Sequence, residues 1–264
     1  MTAIVVCGAA GRMGQLCVRL VAAEPGARLA AAVEAPGHPA LGRDAGEVAG
    51  LPALGVPLTA DFAPTAADVV LDFTAPAAAL AHIAGAAAAG AAIVVGTTGF
   101  SAEERARAEG LARRTRAVIA PNMSVGVNVL DGLVAAATRA LAGFDVEVVE
   151  IHHRQKRDAP SGTALKLAET AAAARGGTLA ERARFGRDGE PGPRTDAEIG
   201  VLAVRGGDAV GDHTVLFLGP GERLELTHRA QNRECLARGA LRAALWVATQ
   251  PVGLYTMRDV LDLG

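Results

Sequence analysis

The stretch Ala3-Ile-Val-Val-Cys-Gly8-Ala-Ala-Gly11-Arg-Met-Gly14-Gln-Leu16 decides the fold. Ala3 to Val6 is short, apolar and β-branched, the pattern of a strand buried on both faces. Glycines at 8, 11 and 14 follow, and Leu16, Leu20 and Val21 then recur at helical spacing. Glycines let a backbone turn tightly and come close to a pyrophosphate, while the helix start offers N–H groups and the positive end of its dipole. Leu29 to Val33 reads as the next strand. Glu34 ends it 20 residues beyond Gly14, where an acidic side chain grips ribose hydroxyls. The spacing is G-x-x-G-x-x-G rather than G-x-G-x-x-G, and by itself it describes an ordinary glycine turn. Strand, turn, helix and Glu34 together predict dinucleotide binding.

The alternation continues outward from this unit. Val69 to Asp72, Ile93 to Val95 and Ala117 to Ile119 read as strands, with Pro76 at one helix start and a Ser101-x-x-Glu104 capping box at another. Regular alternation predicts a doubly wound parallel sheet of the Rossmann type. Such sheets bind ligands at the carboxyl ends of their strands. Three ends carry polar or turn residues: Asp72-Phe-Thr74, Gly96-Thr-Thr-Gly99 and Ala120-Pro-Asn-Met123.

After about Ser124 the character changes. A long helix (129–141) leads into Val146 to Ile151, and strands are expected around Val201, Val215 and Leu224. The joining turns, Arg205-Gly-Gly-Asp208 and Gly219-Pro-Gly-Glu222, suit hairpins better than crossovers. This predicts a second, α+β region with an open mixed sheet and few helices. Glu234 to Thr249 is again helical, so the expected division is 1–124 with 234–264, and 125–233.

Composition narrows the function. Half of the 264 residues are hydrophobic but only 3% are aromatic, so the core rests on Val, Leu, Ile and Ala. A net charge of −2 gives no global attraction to nucleic acid or to an anionic membrane. Cys7, Cys17 and Cys235 are odd in number and widely spaced, which argues for reduced thiols in a cytoplasmic protein and against disulfides or structural zinc. The N-terminal apolar run lacks a basic leader and ends in a glycine turn, as a strand does and a signal peptide does not. Ala77 to Val95 is long enough to raise the question of a membrane span. It is mostly alanine, interrupted by His82, Gly85 and Gly90, and predicts a buried amphipathic helix running into a strand.

The run Glu150-Ile-His-His-Arg-Gln-Lys-Arg-Asp-Ala-Pro-Ser-Gly-Thr163 concentrates chemistry. On a continuing strand His152 and His153 point to opposite faces and take separate tasks. Imidazole titrates near neutrality and can donate a proton, and Lys156 can steady developing negative charge. Ser161 is an N-cap by type, presenting the N–H groups of Gly162 and Thr163 to a carboxylate. A solvated basic loop ahead of a capped helix is the plainer reading. The His-His pair has no third ligand at useful spacing, so no metal is expected.

Gly8-Ala-Ala-Gly-Arg-Met-Gly14 and the E-x-H-H-x-x-K-x-D-x-P-S-G-T run closely resemble the motifs of the 4-hydroxy-tetrahydrodipicolinate reductase family, and the likeness extends to Met257-Arg-Asp-Val-Leu-Asp-Leu263. The resemblance implies reduction of a small cyclic dicarboxylate by NADH or NADPH, with domain closure in each turnover. It implies His152 as general acid and Lys156 as a second donor or stabiliser. His153, Ser161, Gly162 and Thr163 would bind substrate carboxylates. Gly8, Ala9, Ala10, Gly11, Arg12, Met13 and Glu34 would hold one half of the cofactor. Gly96, Thr97, Thr98, Ala120, Pro121, Asn122 and Met123 would hold the nicotinamide half. It assigns 125–233 to substrate binding and tetramer formation, so a homotetramer is expected. Members that use NADPH well carry a basic residue after the acid. Here Ala35 stands there, with Arg12, His38 and Arg43 the basic residues of the region, and Glu34 repels a phosphate. NADH is therefore expected to serve at least as well as NADPH. Two other readings share the glycine loop: a dehydrogenase of the aspartate or homoserine type, and a non-catalytic dinucleotide sensor.

Overall fold

The computed structural model describes residues 1–64 and 67–263. In chain order the first elements are β1 (Thr2–Cys7), α1 (Arg12–Ala23), β2 (Ala27–Val33), α2 (Ala45–Val48), β3 (Leu58–Thr59), β4 (Val69–Asp72), α3 (Pro76–Ala89), β5 (Ala92–Val95), α4 (Ala102–Ala112) and β6 (Arg116–Ile119). Then come α5 (Val125–Ala140), β7 (Asp145–His152), α6 (Gly162–Ala174), α7 (Leu179–Arg182), β8 (Ala183–Phe185), β9 (Ile199–Arg205), β10 (Gly211–Gly219) and β11 (Glu222–Ala230). The chain closes with α8 (Glu234–Val247), β12 (Gly253–Tyr255) and α9 (Met257–Leu261). The chain forms two compact units, Met1–Val125 with Glu234–Gly264, and Gly126–Arg233.

The first unit holds a seven-stranded sheet in the order β12-β6-β5-β4-β1-β2-β3, every neighbouring pair parallel. Period-two alternation serves both faces at once. Ile4 and Val6 join one core with Cys17, Val18 and Val94, while Val5 and Cys7 join the other with Ile83 and Ile93. That is why β1 contains no polar side chain after Thr2 and sits inside the sheet. The alanine-rich segment behaves as the sequence predicts. α3 opens on Pro76, buries Ala79, Leu80, Ile83 and Ala86, and stops at Gly90 in the left-handed conformation. Among the described residues no helix is long and apolar enough to cross a membrane.

The second unit holds a mixed five-stranded sheet, β11-β10-β7-β9-β8. Gly219 to Glu222 makes the expected hairpin, with β10 and β11 antiparallel around Gly221 at φ 78°. Arg205 to Asp208 does not make a hairpin. β9 and β10 never pair; both flank β7, β9 parallel and β10 antiparallel. β7 therefore lies between them, and its buried Val146 and Val148 pack with apolar residues of both neighbours.

Strand register then decides where chemistry can sit. On the face covered by α6, Val146 and Val148 lie beside Phe217 and Val215 of β10 and Ile199 and Val201 of β9. Two residues further along the same face come Glu150, His213 and Ala203, and then His152 and Arg205. One sheet face thus passes from apolar core to a polar cluster within a single step of the pleat.

Candidate active site

The glycine loop of the first unit is shaped for close approach. Gly8 has φ 72°, and a Cβ on Gly14 would lie 2.0 Å from the Gly8 carbonyl oxygen. α1 therefore packs against β1 more tightly than any side chain permits. Its N-cap, Gly11, offers no side-chain hydrogen bond to the first turn, which leaves that turn's N–H groups to a ligand. Ala9 is buried and Arg12 and Met13 begin the helix. Glu34 comes to the loop directly: its carboxylate accepts from Ala10 N–H at 3.0 Å and from Ala35 N–H at 2.9 Å. His38 turns its Nδ1 to the Ala40 N–H. These residues fit a dinucleotide pyrophosphate and ribose.

At the strand ends a buried carboxyl group organises two loops. Asp72 is 0% exposed. It accepts from the Thr97 hydroxyl at 2.6 Å and from the Thr74 hydroxyl and N–H, and it meets His82 Nδ1 at 2.5 Å. Thr74 N–H also reaches the Thr97 hydroxyl. Gly96 and buried Thr97 are so tied to the 72–74 loop, while Thr98 stays exposed. In the 120–123 segment Ala120 and Met123 are buried, Pro121 is exposed and Asn122 accepts from Ser124 N–H. Donor atoms of Cys7, Asp72 and His82 lie within 4.8 Å of one another, a grouping that could hold a metal ion. Burial, with Asp72 and Glu34 adding to it, pushes the Cys7 thiol well up.

In the second unit β7 ends at His152, which is 8% exposed, and His153 beyond it is half-buried. Glu150, 0% exposed, shares the His152 face and meets its Nδ1 at 2.6 Å. Arg205 adds two hydrogen bonds to the same carboxylate, both at 2.8 Å, and Ser161 N–H donates a further one at 3.0 Å. Burial pushes the Glu150 carboxyl up, but Arg205, His152 and Ser161 outweigh it and hold it below the ordinary range. Ser161 is the N-cap of α6, its hydroxyl accepting from Ala164 N–H, and Gly162 and Thr163 form the first turn. Lys156 pairs with Asp158 at 2.9 Å.

The structure thus brings His152 and Ser161 together through Glu150. That carboxylate stands in the sequence run, and its place two residues before His152 on one strand was a readable signal of a shared face. Arg205 and His213 carried no local signal, since they reach the cluster only through strand pairing.

A Rossmann-type unit with a glycine loop, joined to a second α+β unit bearing a buried histidine–carboxylate pair, defines a nicotinamide-dependent oxidoreductase as the class. Within that class, the family model for the dihydrodipicolinate reductase N-terminus matches residues 2–123, and that for its C-terminus residues 126–261. The chain belongs to the dihydrodipicolinate reductase family. It is 53% identical to 4-hydroxy-tetrahydrodipicolinate reductase of Anaeromyxobacter dehalogenans, over 100% of this chain and 98% of that one. It is 54% identical over the same shares to the reductase of that name from Anaeromyxobacter sp. Fw109-5. Among solved structures, dipicolinate-bound dihydrodipicolinate reductase from Paenisporosarcina sp. TG-14 superposes with TM-score 0.77 at 26% identity, covering 98% of each chain. Family membership removes the aspartate and homoserine dehydrogenase readings.

Proposed function

We propose that the chain reduces 4-hydroxy-tetrahydrodipicolinate, by way of dihydrodipicolinate, to tetrahydrodipicolinate in the diaminopimelate route to lysine, with His152 as proton donor. The observation that carries the role of His152 is its pairing with buried Glu150 beside the start of α6. The nicotinamide, when bound, supplies hydride to C4 of the substrate ring. Protein groups do the rest. The Glu150 carboxylate engages Nδ1 of His152 and leaves Nε2 to hand over a proton. His153, Ser161, Gly162 and Thr163 receive the carboxylates at the positive end of α6. Lys156 steadies charge that develops on the ring, once it exchanges Asp158 for substrate.

The cofactor reading assigns the pyrophosphate to residues 8–13, the adenine ribose to Glu34 and the nicotinamide half to Gly96–Thr98 and Ala120–Met123. Glu34, held by two backbone N–H groups, places a fixed negative charge where a 2′-phosphate would sit, and exposed Ala35 offers no compensation. NADH accordingly serves at least as well as NADPH. The open face of the second sheet carries Val149, Ile151, Leu202, Val204 and Leu216, outside the core under α6. That apolar surface supports a homotetramer joined through these sheets, working in the cytoplasm. Light scattering at the tetramer mass is expected; a monomer overturns this assembly.

The decisive assay follows NADH and NADPH oxidation with dihydrodipicolinate synthase, pyruvate and aspartate semialdehyde present. Oxidation that depends on all three is expected. Oxidation no faster than background overturns the activity, and a clear preference for NADPH overturns the cofactor reading.

A further inference from the structure

Beside His152, His213 and Gly211 have no part in the roles above, and Glu150, which engages Nδ1 there, also reaches Ser161. All face the same side of β7 and β10. With Nδ1 of His152 engaged by Glu150, Nε2 is its remaining nitrogen. A Cβ built on Gly211 would stand 2.9 Å from that Nε2 and 3.5 Å from Cε1 of His213. Only a residue without a side chain leaves the nitrogen uncovered.

His213 is 4% exposed and meets His152 edge-on, with ring centroids 5.2 Å apart. Its Nε2 lies 3.1 Å from the Ser161 hydroxyl. That hydroxyl also accepts from Ala164 N–H, which leaves it a proton and a second lone pair with which to meet His213 Nε2. The other ring nitrogen, Nδ1, has no hydrogen-bond partner among the described residues. A buried unpaired nitrogen is costly, and a fold concentrates such costs at functional sites. Burial first, and then the positive character of His152, holds the His213 imidazole down to about 4, so the ring is neutral at working pH.

We propose that Glu150 and His213 are positioning residues that fasten His152 and the Ser161 cap of α6 into one hydrogen-bonded unit, with Gly211 keeping His152 Nε2 open. Glu150 bonds both His152 and Ser161; His213 takes the Ser161 hydroxyl. The proton donor and the first turn of α6 are thereby held at a fixed separation, which a substrate with a reacting ring and two carboxylates requires. Each of the three acts through His152 or Ser161. The proposal rests on the reading of His152 as the proton donor.

The test is steady-state kinetics on the full chain, with NADH binding and thermal unfolding measured on each variant. H152Q tests the underlying reading. If H152Q turns over normally, that reading falls. With H152Q impaired, E150Q is expected to lower kcat about 100-fold, with the NADH KM unchanged. E150Q combined with H152Q should be no slower than H152Q alone, because groups acting as a unit are not additive. G211A should lower kcat while NADH still binds. H213L should raise the substrate KM about tenfold, the equivalent of one lost hydrogen bond. H213Q, whose amide oxygen can accept the Ser161 proton, should restore it. Wild-type kcat in folded E150Q, or equal KM values in H213L and H213Q, overturns the proposal while leaving His152 in place. If E150Q does not fold, the H213L and H213Q pair decides.

Discussion

Each unit of this protein buries one carboxyl group against a histidine, and the two are dressed differently. Asp72 meets His82 at 2.5 Å and is otherwise satisfied by neutral partners, the hydroxyls of Thr74 and Thr97 and one backbone N–H. Glu150 meets His152 at 2.6 Å but is matched by a permanent cation, Arg205, through two hydrogen bonds. A hydroxyl cage holds loops in place and asks for no charge. A guanidinium makes the carboxylate a fixed anion, against which a histidine can hold or release a proton without the carboxylate changing state. Under the proposed function, the first arrangement frames a cofactor that brings its own chemistry and the second holds the proton donor.

This contrast can be broken most directly at the histidines. H152Q should lower kcat by about 10² to 10⁴ with cofactor affinity kept, whereas H82Q should leave kcat close to wild type. Equal losses in stopped-flow or steady-state turnover would erase the distinction. The next effect is on stability. An imidazole near 6.5 when unfolded and at about 4 when folded refuses a proton that the unfolded chain accepts. Stability contributed by neutral His213 is therefore whole above pH 6.5, falls as pH drops towards 4 and changes no further below. The span is on the order of 3 kcal/mol. Glu150, held low, adds a loss only as pH falls through the carboxylate range. Urea unfolding of H213Q should show a flatter slope between pH 6.5 and 4 than the wild type, and an unchanged slope assigns the sensitivity to another group.

Smaller effects sharpen the comparison. D72N keeps the shape but turns one acceptor into a donor facing Thr97 or His82, at a cost of about 1–3 kcal/mol in unfolding free energy. Its kinetic signature should be a raised NADH KM with kcat nearly retained, the reverse of E150Q. The smallest change expected is that of K156A, about tenfold in kcat, since a half-buried ammonium already shared with Asp158 does less than a buried donor. An unaltered rate would take Lys156 out of the stabilising role.

Much of this was readable before any coordinates. Glycines at 8, 11 and 14 between a β-branched run and a helical pattern report their own backbone requirements, and Gly14 proves to sit where a Cβ would touch Gly8. Ser101 and Ser161 cap helices as their types predict. Glycine pairs mark tight reversals, so the turn at 205–208 predicts a hairpin, yet a sequence does not say that a third strand occupies the space between the two arms. The clamp at Asp72 was hidden for a similar reason. Asp72, His82 and Thr97 come from a strand end, a helix and a loop, with no spacing to link them.

By itself, the sequence determined what depends on neighbours along the chain: strand, turn and helix periods, caps, close-approach glycines, and the presence of His152, Lys156 and Ser161 in one run. Only the tertiary structure decided what surrounds His152. Arg205 lies 55 residues from Glu150, and His213 lies 52 from Ser161. They converge because β9 and β10 take opposite edges of β7 in one register, and a shift of one residue would turn every one of these side chains to the other face. The number and order of such pairings is a property of the packed sheet, settled by which apolar residues can share its covered face.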